Sequence, residues 1–205
     1  SRIVHTVIES DRRFTYEEVQ YILERNGEAS EEDLALPGDH PEALPEGTAP
    51  EGDYAAELIV LNRIAKTLRA QRFKNGSVAF DRAEVRFEVD EKGHPISTYV
   101  KVAKDANKLI EEFMLLANRS VAAKIAIVPK GRKPKVFPYR IHDVPDPEKM
   151  EKLSAFIARF GYKIRTEGTK TEVSKSLNRL LSDVKGKKEE NVVEMVALRS
   201  EERRV

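Results

Sequence analysis

Two periodicities of hydrophobic residues alternate along the chain. Apolar residues at three- and four-residue spacing predict amphipathic helices. These stretches fall near residues 16–25, 54–72, 105–127, 147–160, 173–181 and 192–198. Between residues 76 and 103 apolar and charged residues alternate one by one, which predicts an antiparallel β-meander with one solvated face. Together these patterns predict an α+β fold in which the meander packs against several long helices.

Three of the predicted helices have recognisable start signals. Thr15 with Glu18 three positions later forms a capping-box pattern, and Tyr16 would then lie in the first helical turn. Asp53 can cap the next helix. Asp146 followed by Pro147 combines a favoured N-cap residue with proline at the first helical position. We therefore expect helices to begin at these three places.

Two segments read as loops. Residues 36–52 contain four prolines and three glycines, which predicts an exposed loop. Residues 129–135 form a basic loop that carries Lys130, Arg132, Lys133 and Lys135. Such a run could follow the backbone of an RNA strand, but a lysine-rich loop is also an ordinary solvated turn.

Composition narrows the class of protein without identifying a partner. Hydrophobic residues make up 40% and charged residues 35% of the chain, which favours a folded domain with a charged surface. The 36 basic and 35 acidic residues give a net charge of +1, which neither supports nor excludes a polyanion as partner. Cysteine is absent, so there is no disulfide or thiolate metal site. Without a signal peptide or a long apolar run, we expect a soluble cytoplasmic protein with no membrane partner.

The helix predicted for residues 105–127 has a polar border beside its apolar face. At 100° per residue the apolar face contains Ala106, Leu109, Ile110, Phe113, Leu116, Ala117 and Val121. Asn107, Glu111 and Asn118 line one border of this face, and Glu112 falls on the opposite side. An acid on such a border can be half-desolvated and aimed at a ligand, or it can simply be a solvated flank.

Four motifs in this chain resemble, in order, motifs of the ribonuclease R and ribonuclease II catalytic domain, the RNB domain. The first is Phe-Thr-Tyr-Glu-Glu-Val at residues 14–19, and the second is Gly-Ser-Val-Ala-Phe at residues 76–80. The third is Leu-Ile-Glu-Glu-Phe-Met-Leu-Leu-Ala-Asn at residues 109–118, and the fourth is Tyr-Arg-Ile-His at residues 139–142. The resemblance implies a partial RNB catalytic domain over residues 1–205. The final residues, Glu201 to Val205, depart from the family pattern.

The resemblance also implies roles for individual residues. Tyr16 and Glu111 match family residues that contact ribose near the 3′ end of single-stranded RNA, where the 2′-hydroxyl distinguishes RNA from DNA. Phe80 matches an aromatic residue that stacks on the terminal bases; its alternative role is that of a core phenylalanine. Arg140 and His142 could hold a phosphate, or they could pair with Asp143 and Asp146.

Several parts of the family pattern do not occur in this sequence. They are the aspartate cluster that binds Mg²⁺, the downstream arginine motif and the OB-fold RNA-binding domains. We therefore assign no catalytic residue and no metal ligand to this chain, and we expect no metal bound to it. The resemblance implies a fragment of a 3′-to-5′ processive hydrolytic exoribonuclease that releases nucleoside 5′-monophosphates and is inactive in isolation. The alternative is a non-catalytic RNA-binding or scaffold protein that retains part of an RNB domain.

Overall fold

The computed structural model describes residues 3–34, 44–78, 80, 84–129, 131–133, 135–138 and 145–201. The chain divides into two compact units. The first unit contains residues 1–69 and 81–137, and the second contains residues 70–80 and 138–205.

The described residues form seven helices and one two-stranded antiparallel sheet. In chain order the elements are α1 (Tyr16–Arg25), α2 (Glu31–Leu34), α3 (Ala55–Lys74), β1 (Glu84–Val89), β2 (Pro95–Lys101), α4 (Asp105–Ala126), α5 (Pro147–Ala158), α6 (Lys170–Val184) and α7 (Glu190–Glu201). This mixed composition confirms the predicted α+β class. Helix α2 was not predicted. None of the described helices is long and apolar enough to cross a membrane.

Helix α1 begins where its sequence predicts. The hydroxyl of Thr15 accepts a hydrogen bond from the amide of Glu18 at 3.1 Å, so Thr15 is the N-cap. The carboxylate of Glu18 bonds the guanidinium of Arg12, so it does not act as the second half of a capping box. This ion pair fixes the chain that leads into α1.

Asp53 does not cap α3, so that prediction is wrong. The helix begins at Ala55, and Tyr54, at φ +54°, precedes it and accepts a hydrogen bond from the amide of Leu58 through its carbonyl. The carboxylate of Asp53 instead accepts a hydrogen bond from Nε of Arg12 at 3.1 Å. A charged partner nearby in space has therefore replaced the local cap.

The predicted loop at residues 36–52 is described from residue 44 onward. Leu44 packs against a small buried cluster of the first unit that contains Ile22, Ala55 and Leu58. Gly52 is buried and adopts φ +103°, and a Cβ added there would lie 2.5 Å from Cγ1 of Ile22. The end of this loop is thus part of the packing around α1.

Among the described residues the predicted meander is a hairpin of two strands. Val85 lies opposite Val100, and Phe87 lies opposite Thr98. Val78 and Phe80, which lie within the range predicted for the meander, belong to no strand. The apolar face of the hairpin, which we expected to be buried, is open to solvent: Phe87 is 63% exposed. Two strands alone have too little area to bury such a face between them.

The second unit has the larger core. Asp146 accepts a hydrogen bond from the amide of Glu148 at 2.9 Å, which confirms the predicted N-cap of α5. Thr169 and Glu172 form a reciprocal capping box at the start of α6. Helices α5, α6 and α7 together bury Met150, Leu153, Ile157, Val173, Leu177, Leu180, Leu181, Val184, Val193 and Ala197.

Candidate functional site

Side chains from two earlier helices cap the N-terminus of α4. The amide of Asp105 donates a hydrogen bond to the carboxylate of Asp33 in α2, and the amide of Ala106 donates one to Oε1 of Gln20 in α1 at 3.1 Å. Both acceptors are buried. The first amides of a helix have no partner within it, and its N-terminus favours negative charge, so these contacts stabilise the start of α4. They tie α4 to α1 and α2.

The two buried aspartates at this helix start each have a cationic partner. Nζ of Lys108 lies 3.0 Å from Oδ1 of Asp33, and Nζ of Lys66 lies 3.2 Å from Oδ2 of Asp105. Ser30 adds hydrogen bonds to the Asp105 carboxylate from its amide, at 2.8 Å, and from its hydroxyl. A buried carboxylate needs such compensation because burial removes its hydration.

The pKa values of these two aspartates are shifted in opposite directions. Burial raises the pKa of Asp33, because it penalises the charged form more than the ammonium of Lys108 stabilises that form. Burial also acts to raise the pKa of Asp105. There, however, the hydrogen bonds from Ser30 and the charge of Lys66 outweigh burial and hold the pKa below its usual value.

The buried side of α4 differs from the predicted one. Leu109 is buried as expected, but Ile110 is exposed, and Glu112, expected on the solvated side, is buried. Glu111 keeps its predicted place at a border, with a side chain that is 48% exposed. The prediction for Glu112 is wrong because a hydrophobic pattern does not register that a distant residue can supply a countercharge.

Arg69 of α3 supplies that charge and lies beside both glutamates. Its Nη1 lies 3.7 Å from Oε2 of Glu111 and 3.9 Å from Oε1 of Glu112. The side chain of Glu112 is only 3% exposed, whereas that of Glu111 is open to solvent. The guanidinium is therefore held at a buried carboxylate and faces an accessible one.

Tyr16 lines an apolar cleft of about 530 Å³ within the first unit. The walls come from the start of α1, from α3 and from α4, and contain Phe14, Thr15, Tyr16, Glu17, Val19, Leu58, Leu61, Ala106, Leu109 and Ile110. Tyr16 itself is 43% exposed. Ile110, which directly precedes Glu111, lines the same cleft, so the two ribose contacts implied by the resemblance belong to one region of the first unit.

Phe80 lies in the second unit. It is partly buried and packs against the hydrophobic core of that unit, together with Val78. This contact accounts for an aromatic residue at this position without a ligand. The base-stacking role implied by the resemblance stays a prediction.

Half of the other predicted contact residues lie outside the described residues. Arg140 and His142 both lie outside the described residues, as does Lys130. Of the basic loop, Arg132, Lys133 and Lys135 are described and exposed. Phosphate binding by Arg140 and His142 therefore stays a prediction.

Arg69, Asp33 and Asp105 are site residues that the sequence analysis missed. A signal for them exists in the sequence: Lys66 and Arg69 are three residues apart, and Asp105 and Glu112 are seven residues apart. Both spacings place the two members of each pair on one side of a helix. Two cations on one helix and two acids on another predict ion pairs between helices, but they do not show which helices contact each other.

Comparison with known proteins identifies the family. The model of the RNB domain matches residues 1–204. Ribonuclease R of Aquifex aeolicus is 32% identical over 143 residues, which cover 70% of this chain and 19% of that protein. Ribonuclease R 1 of Lactococcus lactis is 30% identical over 200 residues, covering 97% of this chain and 21% of that protein. DIS3-like exonuclease 2 of Schizosaccharomyces pombe is 38% identical over 121 residues, covering 59% of this chain and 12% of that protein.

Solved structures show the same fold. Mycoplasma genitalium RNase R in complex with ribose methylated single-stranded RNA superposes with a TM-score of 0.64 at 20% identity, covering 93% of this chain and 26% of that one. The apo form of the same protein has a TM-score of 0.64. The chain spans about a fifth or less of the length of the three relatives described above. The resemblance inferred from the motifs is confirmed, and this chain belongs to the RNB domain family.

Proposed function

We propose that the chain is part of the catalytic domain of a hydrolytic exoribonuclease that degrades single-stranded RNA processively from its 3′ end to nucleoside 5′-monophosphates. Membership of the RNB domain family and similarity to ribonuclease R support an RNA-hydrolysing exoribonuclease. The role that we assign to this chain is to bind the 3′-terminal nucleotides of the RNA.

The observation that carries this proposal is the cleft that Tyr16 and Ile110 line together. An apolar cleft with a few polar groups at its edge suits a nucleoside, whose base is flat and apolar on its faces and whose ribose is polar. Tyr16 can offer a phenol hydroxyl, and the accessible carboxylate of Glu111 can accept a hydrogen bond from a 2′-hydroxyl. A deoxyribose lacks that donor, so this contact would favour RNA.

Phe80, Arg140 and His142 are further RNA contacts that the family resemblance implies. Phe80 would stack on a base through the part of its ring that the core leaves accessible. Arg140 would bind a phosphate through its planar guanidinium, and His142 would add a hydrogen bond to the same group. Their assignment rests on the family resemblance at residues 76–80 and 139–142.

Magnesium, which the family resemblance implies, does not fit the described residues. Mg²⁺ prefers oxygen ligands, chiefly carboxylates and waters, in octahedral geometry. No three His, Asp or Glu side chains in the described part of the chain are grouped so that they could hold a metal ion. The buried pair Asp33 and Asp105 is already bound to lysines. We therefore assign bond cleavage to groups other than these residues, and we expect the chain alone to release no nucleotides from RNA.

The same observation keeps a non-catalytic RNA-binding or scaffold role as the second candidate. The two roles differ in the complete reading frame. An aspartate cluster encoded before the first motif and an arginine motif encoded after residue 205 would support the exoribonuclease. A complete frame that lacks both would support the scaffold.

Binding of single-stranded RNA tests the proposed site. We expect the chain to bind a 5′-labelled RNA, measured by fluorescence anisotropy, and Tyr16→Ala to weaken binding about tenfold. Tyr99→Ala is a matched control, because Tyr99 is 44% exposed, lies on β2 and is not one of the residues that line the cleft. An equal loss in both variants, or no binding by the unaltered chain, would contradict the proposal.

A further inference from the structure

We propose that Arg69 is a positioning residue that orients the carboxylate of Glu111 and thereby sets the preference for ribose over deoxyribose at the RNA 3′ end. This inference rests on the proposed function, in which Glu111 accepts a hydrogen bond from the 2′-hydroxyl. It adds a residue that none of the four sequence motifs contains.

Arg69 is itself held in place by buried charge. Its guanidinium lies near Glu112, whose side chain is 3% exposed, and the side chain of Arg69 is 20% exposed. Leaving a buried carboxylate without its cation is costly, so Glu112 keeps the guanidinium at this depth. Oε2 of Glu111 lies 3.7 Å from the same Nη1.

The backbone that carries Arg69 is also fixed relative to α4. Lys66, three residues before Arg69, pairs with Asp105, and Arg69 pairs with Glu112, seven residues after Asp105. Two ion pairs thus connect residues one turn apart on α3 with residues two turns apart on α4. Two ion pairs between α3 and α4, and not a single side chain, therefore place the positive charge beside Glu111.

A carboxylate that binds ribose needs such a charge for two reasons. A half-exposed glutamate populates several rotamers, and fixing one of them opposes binding through lost entropy. An anionic carboxylate also repels the RNA phosphates that follow the bound ribose, and a cation at 3.7 Å reduces this repulsion. The first effect concerns the contact with the 2′-hydroxyl and so changes the preference for ribose. The second acts equally on a ribose and a deoxyribose strand and changes the affinity for both. The distances of 3.7 and 3.9 Å exceed those of direct hydrogen bonds, so Arg69 acts mainly through its charge.

A double-mutant cycle on the complete chain tests this role. The quantity measured is the ratio of dissociation constants for two RNA strands that differ only in a deoxyribose or a ribose at the 3′ end. The variants are Arg69→Gln, Glu111→Gln and the pair. We expect the unaltered chain to favour ribose about tenfold, each single variant to lower the ratio towards one, and the second change in the pair to lower it no further.

Three further variants separate positioning from folding. Arg63→Gln removes another cation of α3, which pairs with Glu28, and we expect it to leave the ratio unchanged. Arg69→Met keeps the aliphatic stem and serves as the second neutral variant if Arg69→Gln does not fold. Arg69→Lys restores the charge and should bring the ratio back towards that of the unaltered chain.

The outcomes distinguish the inference from the function on which it rests. If the unaltered chain does not bind RNA, both are overturned. If Glu111→Gln lowers the ratio and neutral Arg69 variants leave it unchanged, the proposed function stands and the role of Arg69 is wrong. A further fall in the ratio when Arg69 is changed in the Glu111→Gln background would also overturn positioning through Glu111.

Discussion

The backbone amide of Asp105 donates a hydrogen bond to the carboxylate of Asp33, which lies 72 residues earlier in the chain. This single contact joins the four-residue helix α2 to the start of α4. Because α4 carries Ile110, Glu111 and Glu112, the position of its first turns determines where those side chains lie. The buried polar contacts at the start of α4 thus stabilise the helix that carries the candidate site.

Removal of the Asp33 carboxylate should destabilise the first unit. Asp33→Ala leaves the amide of Asp105 without its acceptor and Lys108 without its counterion, which we expect to cost about 3 to 5 kcal/mol. Asp33→Asn keeps an oxygen acceptor and should cost less. Urea unfolding followed by circular dichroism measures both. A matched control is Glu148→Ala, which breaks an exposed ion pair with Lys152 and should change stability little. Equal stability of Asp33→Ala and this control would contradict the assigned role.

The two aspartates should affect the pH dependence of stability with opposite signs. The pKa of Asp105 is lowered in the folded state, so its ionisation stabilises the fold above about pH 4, and this contribution is lost as the pH falls through the folded pKa. The pKa of Asp33 is raised by burial, so its contribution is fully present below about pH 4 and is lost as the pH rises through the folded pKa.

Unfolding experiments between about pH 3 and about pH 7 measure this difference. The destabilisation caused by Asp105→Asn should shrink as the pH falls. For Asp33→Asn, stability relative to the unaltered chain should improve as the pH rises. If the difference in stability from the unaltered chain changes with pH in the same direction for both variants, the pKa values of the two aspartates are not shifted in opposite directions.

Helix starts with local caps were predictable from the sequence, and contacts between distant residues were not. Thr15 and Asp146 bind amides two or three residues away, so the residues that form each cap lie close together in the sequence. Asp53, predicted as a helix cap, and Glu112, predicted on the solvated side, instead bind Arg12 and Arg69 from other parts of the chain. Hydrophobic periodicity assumes that charged residues face water, and it fails where a charge is buried with a partner.

The same limit explains the hairpin and the candidate site. The alternation of Val85, Phe87 and Val89 correctly predicts a strand, but it cannot say whether anything covers their face. Tyr16 and Glu111 were found through motif resemblance and not through periodicity. Arg69, between those motifs, escaped notice because only the fold brings it to Glu111.

Gly52 should not tolerate a side chain. Gly52→Ala would place a Cβ 2.5 Å from Ile22 at φ +103°, and we expect it to destabilise the first unit by about 1 to 3 kcal/mol. Gly27→Ala is the control, because φ there is +68° and nothing lies within 4 Å of the added carbon. The unfolding midpoint in urea compares the two. A smaller loss for Gly52→Ala than for Gly27→Ala would mean that the close packing against Ile22 is not present.

Phe80 can be tested for packing and stacking separately. Phe80→Leu keeps an apolar side chain against the core of the second unit but removes the aromatic face. If Phe80 stacks on RNA bases, this variant should keep most of its stability and lose about 1 to 3 kcal/mol of RNA binding energy. Thermal unfolding and anisotropy titration measure the two effects. Unchanged RNA affinity in a folded Phe80→Leu protein would leave Phe80 with a packing role alone.

In the proposed complex the RNA 3′ end lies at the cleft of Tyr16 and Ile110, next to Glu111. This position can be measured by photo-crosslinking of RNA that carries 4-thiouridine at its 3′ terminus, followed by tryptic digestion and mass spectrometry. We expect adducts in the peptides of residues 14–25 and 109–119, and fewer there when the probe is moved to the 5′ end. Adducts confined to residues 147–201, or independent of the position of the probe, would contradict it.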